Sequence, residues 1–409
     1  MRLSAARDVT RLRIFKSERE VGSLLRTEQG AKFEYFASYL SDEKAEQVAF
    51  TLPLQEAPHE IVGDNLHPFF SGLLPEGRRL TALTSAVKTS DDDLFSLLAA
   101  SGTDTIGDVF AVPPNIPVAA SQPITLDELE NISLQEVFER SITADDYRAR
   151  IFDSSIAGVQ PKLSEQMISF PAELNKKNKR LIIKLAPSAY PQLVENEYFF
   201  MRMAENCNLQ VAATQVVEDR DGRSALLVER FDRVYSKPEK RFKRLHQEDA
   251  CQFLGRYPHD KYRLSMRSIA EGIQQFATSP QVELLRLLEL YAFCYLTGNG
   301  DLHAKNISLL KGESGRVSLS PVYDLVCTYA YGDEEMALHL EGKKKNIRKK
   351  EFFAFAEREG IRRAAVESML KRLLSSVEPH LVEIQQVGFE DKLTKKLESE
   401  LKRRYDHLR

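Results

Sequence analysis

The segment TGNGDLHAKNISLL, residues 297–310, sets Asp301 and Asn306 five residues apart in a polar island between apolar runs. At that spacing one loop can present two groups that phosphoryl transfer uses. A carboxylate orients the attacking hydroxyl and accepts its proton, while an amide or carboxylate oxygen holds Mg²⁺ against the phosphates. The residues that follow, ISLLKGESGRVSLS, read as a hairpin turning at Gly312–Gly315, and it delivers PVYDL with Asp324 at its end. Asp324 then supplies a second metal ligand, which gives the constellation Asp301, Asn306 and Asp324. Taken alone, Gly-Asn-Gly-Asp is more often a tight turn, because Gly and Asn accept positive φ and Asp bonds its own backbone. His303 has no second histidine at ligand spacing, so loop ordering suits it better than metal binding.

Upstream residues weigh on that choice. Lys184 lies in the apolar strand RLIIKLA, where a lysine either snorkels at a sheet edge or reaches the α- and β-phosphates and pairs with a helix glutamate. The next helix, LVENEYFFMRMAENC, offers Glu195 and Glu197. Further upstream, SSIAGVQPKLS carries Gly158 and Lys162. Its backbone N–H groups are suited to cradling phosphates, although it is not a G-x-G-x-x-G loop. In LLVERFDR the backbone from Glu229 to Phe231 is either an ordinary strand end or the hinge that an adenine would bond. Phosphate loop, strand lysine, helix glutamate, hinge, catalytic loop, hairpin and metal aspartate follow one another in the order of a kinase.

The elements that must position these groups can be read coarsely. A chain of 409 residues exceeds one compact core and suggests two to three units. With 57 basic and 60 acidic residues the net charge is -3, so no global basic field marks a nucleic-acid binder. Cys207, Cys251, Cys294 and Cys327 lie far apart without a C-x-x-C pair, which favours four small buried hydrophobes over zinc or disulfides. The N-terminus lacks a signal-peptide h-region and no apolar run spans a bilayer, so a soluble cytoplasmic protein without membrane partners is expected. Residues 9–53 suggest a small α/β module, followed by a helix, LFSLLAA, opened by Asp91–Asp93, where acidic groups favour the helix dipole. Prolines and small residues mark a boundary at VPPNIPVAASQP, residues 112–123. Strands dominate residues 151–232, including a hairpin about Asp221-Gly222, and helices dominate from residue 247, including QVELLRLLELYAFCYLTG and a terminal helix from about Glu390. The expected fold is α+β and two-lobed with a cleft. The divisions are 1–115 for the N-terminal module, 116–232 for the kinase N-lobe and 233–409 for a helical C-lobe.

These residues resemble the HipA family, the toxin kinases of bacterial type II toxin–antitoxin modules. SSIAGVQPK is similar to its phosphate-binding loop, LVERFDR to its hinge, RLHQEDACQFLG to the helix opening its second lobe, and GNGDLHAKN with PVYD to its catalytic and metal segments. VGSLL, HPFFSGLLPEGRR and SGTDTIGDV resemble its N-terminal module. The segment KYRLSMRSIAEGI departs from some relatives in having no glycine-proline turn after Lys261-Tyr262.

The resemblance implies a HipA-like, protein-kinase-like fold and an ATP- and Mg²⁺-dependent serine/threonine-protein kinase. Asp301 would be the catalytic base, and Asn306 and Asp324 the metal ligands. Ala157, Gly158, Val159, Gln160 and Lys162 would cover the nucleotide. Lys184, paired with Glu197, would hold its phosphates, and Glu229, Arg230, Phe231, His303, Lys305 and Tyr323 would complete the nucleotide site. Ser155 aligns with the autophosphorylated loop serine, with Ser154 as its rival. The implied partners are a HipB-like helix-turn-helix antitoxin, operator DNA through that complex, and a protein substrate of the aminoacyl-tRNA synthetase class. The run GKKKNIRKK, residues 342–350, is either a solvated helix start or a phosphate-backbone contact. Two rival functions remain. One is a small-molecule phosphotransferase of the aminoglycoside-kinase type, which usually carries His where Asn299 stands, and the other is a pseudokinase corepressor.

Overall fold

The computed structural model describes residues 3–62, 66–117, 124–125, 133, 154–155, 167–174, 179–187 and 189–409. The chain divides into two compact units, one made of Met1–Leu185, Glu218–Ala225 and Glu229–Pro258, the other of Ala186–Val217, Leu226–Val228 and His259–Arg409. The α+β class expected from the sequence holds.

In the first unit the short apolar runs near the N-terminus become an antiparallel sheet. Its strands are β1 (Arg11–Lys16), β2 (Arg19–Thr27), β3 (Gly30–Tyr35), β4 (His59–Val62) and, beyond the short β5 (Asp104–Thr105), β6 (Val109–Val112). The order is β4-β3-β2-β1-β6. Helices α1 (Gly77–Val87) and α2 (Leu94–Ser101) contribute to the core of this module. Asp93 caps α2 by accepting the Ser96 N–H, as the acidic run predicts. Leu12, Ile14, Leu24, Phe33, Phe70 and Phe95 are all at most 1% exposed and belong to one core. Burying each such side chain contributes about 1.5–3 kcal/mol.

Past the module come β7 (Ile124–Thr125), β8 (Ser154–Ser155), β9 (Ile168–Leu174) and β10 (Lys179–Leu185). β9 and β10 pair antiparallel with Lys184 opposite Ser169. Along β10, Leu181, Ile183 and Leu185 are buried while Lys184 is half-buried on the other face, the alternation a strand requires. β8 runs parallel to β5, Asp104 opposite Ser154 and Thr105 opposite Ser155. The expected hairpin about Asp221-Gly222 is present between β11 (Thr214–Glu218) and β12 (Ser224–Glu229), with Gly222 N–H donating to the Asp219 carbonyl. A hairpin of β13 (Arg233–Ser236) and β14 (Arg241–Arg244) was not anticipated. RLHQEDACQFLG forms β15 (His246–Asp249) and a single helical turn, Ala250–Phe253, and it sits within the first unit. There Gln252 Nε2 donates to the Phe69 carbonyl at 3.0 Å, so the segment is fastened to the N-terminal module.

Two buried ionic clusters do similar fastening. In one, the Lys16 ammonium lies 3.1 Å from Asp108 Oδ2, and His246 bridges Asp108 Oδ1 at 2.7 Å and Glu248 Oε1 at 2.9 Å. Burial and the Lys16 charge push the His246 pKa down, yet Asp108 and Glu248 outweigh them and raise it. A raised folded-state pKa means that the stability His246 contributes is fully present below about pH 6.5 and is lost as pH rises through the higher value. Thermal unfolding of the wild type should therefore weaken from neutral toward alkaline pH more steeply than that of His246→Gln. Parallel slopes would contradict it.

The second unit is mainly helical: α3 (Leu193–Asn206), α4 (Met266–Phe276), α5 (Pro280–Leu296), then the hairpin β16 (Ser308–Lys311) and β17 (Val317–Leu319), then α6 (Lys349–Arg358), α7 (Arg363–Val377) and α8 (Asp391–Leu408). On α7, Val366, Met369, Leu370, Leu373, Leu374 and Val377 are buried at the three- and four-residue spacing of one helical face. Among the described residues no helix is long and apolar enough to cross a membrane. All four cysteines are buried, and burial pushes the thiol pKa of Cys207 up to about 12 and that of Cys327 up to about 11. They act as small hydrophobes, as their spacing suggested.

Candidate active site

Helix α5 carries the polar island. It starts with Pro280 in its first turn, where the missing N–H costs nothing, and its C-terminal half from Leu290 to Leu296 is buried without a break. A helix anchored on all sides holds the loop that leaves it. Gly298 takes a left-handed turn, φ 70°, which reverses the chain. Gly300 approaches other backbone so closely that a Cβ there would lie 2.3 Å from the Glu335 carbonyl oxygen. Its N–H donates to Thr328 Oγ1 at 2.7 Å and its carbonyl accepts the Ala337 N–H at 2.7 Å. The glycines thus shape the loop for reasons of space.

Asp301 follows, 4% exposed, with its N–H donating to Asn299 Oδ1 at 3.0 Å. Asn306 Nδ2 donates to the Asp301 carbonyl at 3.1 Å. That bond fixes the amide's orientation: its NH₂ faces the carbonyl, and Oδ1 is presented as an acceptor on the other side. His303 Nδ1 accepts the Asn306 N–H at 3.2 Å and caps the single turn Ala304–Asn306, the loop-ordering role that its isolation in the sequence suggested. Tyr262 donates its hydroxyl to Asp301 Oδ1 at 3.0 Å.

The hairpin turns where expected, with Gly315 N–H donating to the Gly312 carbonyl at 2.9 Å. Beyond β17, Val322 N–H donates to the Gln210 carbonyl at 2.7 Å, and the chain then returns to the loop. The Tyr323 hydroxyl donates to the Lys305 carbonyl at 2.7 Å. Asp324 comes next in a left-handed conformation, φ 61°, a strained state for a residue with a Cβ. The stretch after it is pinned to α3: Cys327 N–H donates to Asn196 Oδ1 at 2.9 Å, and Asn196 Nδ2 donates to the Cys327 carbonyl at 3.3 Å. Asp301, His303, Lys305, Asn306 and Tyr323 are therefore joined in one bonded loop, with Asp324 adjoining Tyr323.

Of the other expected residues, Glu197 is fully buried on α3 and Lys184 is half-buried on β10. Ala157, Gly158, Val159, Gln160 and Lys162 lie outside the described residues, and Ser154 and Ser155 are described as strand backbone. Of the hinge residues, Glu229 pairs with Lys179 and Phe231 is half-buried. The Arg230 N–H donates to the Arg180 carbonyl at 2.9 Å, and its guanidinium is buried against Asp104 and Asp232, so that side chain is structural. In the basic run, Lys343 pairs with Glu351 at 2.6 Å and Lys345 with Glu335 at 3.2 Å, so neighbouring acids offset part of its charge.

A divalent ion suits the donor set. Asn306 Oδ1 and the Asp324 carboxylate are hard oxygen donors, and Mg²⁺ is commonly held by one or two protein oxygens with water and phosphate completing its shell. Sequence reading missed Tyr262, Asn196 and Thr328, whose partners lie 39, 131 and 28 residues away along the chain. No local pattern marks them.

The model of the HipA-like C-terminal domain matches residues 154–381, and that of the HipA N-terminal domain matches residues 12–112. A serine/threonine-protein kinase toxin HipA of Shewanella oneidensis is 31% identical over 77% of this chain and 76% of its own. A putative kinase, Y4mE, of Sinorhizobium fredii is 29% identical over 89% of each chain. The solved complex of HipA, HipB and operator DNA from Shewanella oneidensis MR-1 contains a chain of the same fold, with a TM-score of 0.75, 24% identity and 97% coverage of both chains.

Proposed function

The chain belongs to the HipA family of toxin kinases, and from that premise we propose that it is an ATP- and Mg²⁺-dependent serine/threonine-protein kinase acting as the toxin of a type II toxin–antitoxin module. The observation that carries this reading is the bond from Asn306 Nδ2 to the Asp301 carbonyl. It ties base and metal ligand into one rigid unit, the positioning that phosphoryl transfer depends on.

Mg²⁺ bound by Asn306 Oδ1 and Asp324 would neutralise charge on the transferring phosphoryl group. The protein's own part is orientation and proton transfer. Asp301 accepts the proton of a serine hydroxyl as its oxygen bonds the γ-phosphorus of ATP and the bond to the ADP oxygen breaks. Lys184 with Glu197, the residues Ala157–Lys162, and the backbone of Glu229 and Phe231 hold the nucleotide. Lys305 and Tyr323 shape its metal side. The Arg230 N–H, already donated to Arg180, is left out of adenine recognition.

Ser155 is the site of self-phosphorylation in this reading. A phosphate there adds about -1.5 to -2 charge beside a loop built for phosphate, which repels nucleotide and switches the enzyme off. A protein serine, with aminoacyl-tRNA synthetases as the candidate class, is the growth-arresting target. The relative solved with HipB and operator DNA supports a helix-turn-helix antitoxin as the neutralising partner, with the complex repressing its operon.

Incubation with Mg·ATP followed by intact-mass measurement and phosphopeptide mapping tests the proposal. One added phosphate on Ser155 is expected in the wild type and none in Ser155→Ala. Modification confined to Ser154 would move the site, and an unmodified wild type would remove the self-phosphorylation step.

A further inference from the structure

The Tyr262 hydroxyl reaches the carboxylate of Asp301 across 39 residues of sequence, donating to Oδ1 at 3.0 Å. It is held there from both sides. The Lys261 carbonyl accepts the Ala304 N–H at 3.2 Å, so the turn carrying Tyr262 is bonded to the loop carrying Asp301. The Tyr262 ring stands edge-on to His303 with centroids 5.3 Å apart, and His303 itself caps the turn that ends in Asn306. This arrangement aims one phenol at one oxygen of the carboxylate expected to act as base.

We propose that Tyr262 is a positioning residue for that base, an inference that rests on the kinase reading above. Its hydrogen bond to Oδ1 fixes the rotation of the carboxylate, so the serine proton passes to a base already oriented as the oxygen–phosphorus bond forms and the bond to the ADP oxygen breaks. Among the described residues, the charged and titratable groups near the pair include Lys261, whose ammonium lies 5.6 Å from the Tyr262 ring centroid, together with His303, Lys305 and Asp324 on the neighbouring segments and Asp333, which packs beside Gly300. Tyr262→Phe leaves all of them in place and keeps the ring against His303. Only the hydroxyl is lost.

The test is the pH profile of single-turnover self-phosphorylation with Mg·ATP, wild type against Tyr262→Phe, beside the Mg·ATP dissociation constant. The acid limb of the variant should move up by about one pH unit and its plateau rate fall about tenfold, as loss of a hydrogen bond to a charged group implies. Nucleotide affinity should not change. A second readout does not need activity: in ¹³C-aspartate-labelled protein, with the Asp301 carboxyl signal identified by its loss in Asp301→Asn, that signal should titrate at higher pH in Tyr262→Phe. Superimposable rate profiles or an unmoved Asp301 titration in a self-phosphorylating protein overturn the positioning role alone. A wild type without any phosphotransfer, but with a shifted titration, overturns the kinase reading and with it the catalytic meaning of Tyr262.

Discussion

Asp301→Asn is expected to lower the rate of phosphotransfer by about 10²–10⁴-fold, the range over which a positioned general base contributes, while leaving the fold and Mg·ATP binding nearly unchanged. The substitution is isosteric. Its side-chain oxygen still accepts the Tyr262 hydroxyl, and the backbone bonds from Asp301 N–H to Asn299 and from Asn306 Nδ2 to the Asp301 carbonyl do not involve the carboxylate. Proton acceptance is removed. Initial rates of phosphate incorporation by intact mass, alongside a nucleotide titration, separate the two effects. A variant that retained wild-type rates would exclude Asp301 as base, and one that lost nucleotide binding would place it in recognition.

Much of that loop was legible because its requirements are local. The run from Leu284 to Leu296 is apolar on nearly every face, so it reads as a buried helix, and the glycines after it mark where it must end. Gly312–Gly315 between two alternating runs reads as a hairpin turn for the same kind of reason. What stayed hidden depends on partners distant in sequence. Asn196, flanked by the two glutamates that drew attention, pins Cys327 through both atoms of its amide. Arg230 stood in a segment read for its backbone, yet its side chain answers to Asp104, 126 residues upstream. β13 and β14 flank Lys237–Lys240, a turn rich in charge and proline that gives little alternation on either side. RLHQEDACQFLG looked like a helix start, and its capping box is real: Asp249 and Gln252 bond each other's backbone N–H. The helix is one turn long because Gly255 follows it in a left-handed conformation, φ 62°, with its N–H donating to the Gln252 carbonyl at 3.0 Å and the Arg256 N–H to the Cys251 carbonyl at 2.7 Å.

The Arg230 cluster leads to a stability prediction that runs against first intuition: removing an aspartate should cost more than removing an arginine. Asp104 and Asp232 are surrounded by Arg230, Arg233 and Arg244, and all three guanidinium groups are largely buried. Asp232 accepts from Arg230 at 2.8 Å, from Arg233 at 2.7 Å and from the Gly107 N–H at 2.9 Å. Burial would raise its pKa, but Arg230 and Arg233 overcome burial and lower it to about 2. Positive charge is in excess here among the described residues. Burial first, then repulsion from Arg230, brings the pKa of Arg233 down to about 9. Arg233→Met therefore relieves a repulsion while it breaks a pair, whereas Asp232→Asn leaves buried arginines facing one another. Breaking a buried pair from one side costs about 3–5 kcal/mol; Asp232→Asn should fall at the upper end of that range and Arg233→Met at or below the lower end. Because the Asp232 pKa is depressed in the folded state, its contribution is present above about pH 4 and is lost as pH falls toward the folded value. Urea unfolding of the two variants at pH 7, and of the wild type and Asp232→Asn down to pH 3, measures both parts. Equal losses at pH 7 would mean that the arginines do not repel, and a gap between wild type and Asp232→Asn that fails to narrow in acid would mean that the carboxylate charge is not what holds Asp104–Gly107 to Arg230–Arg233.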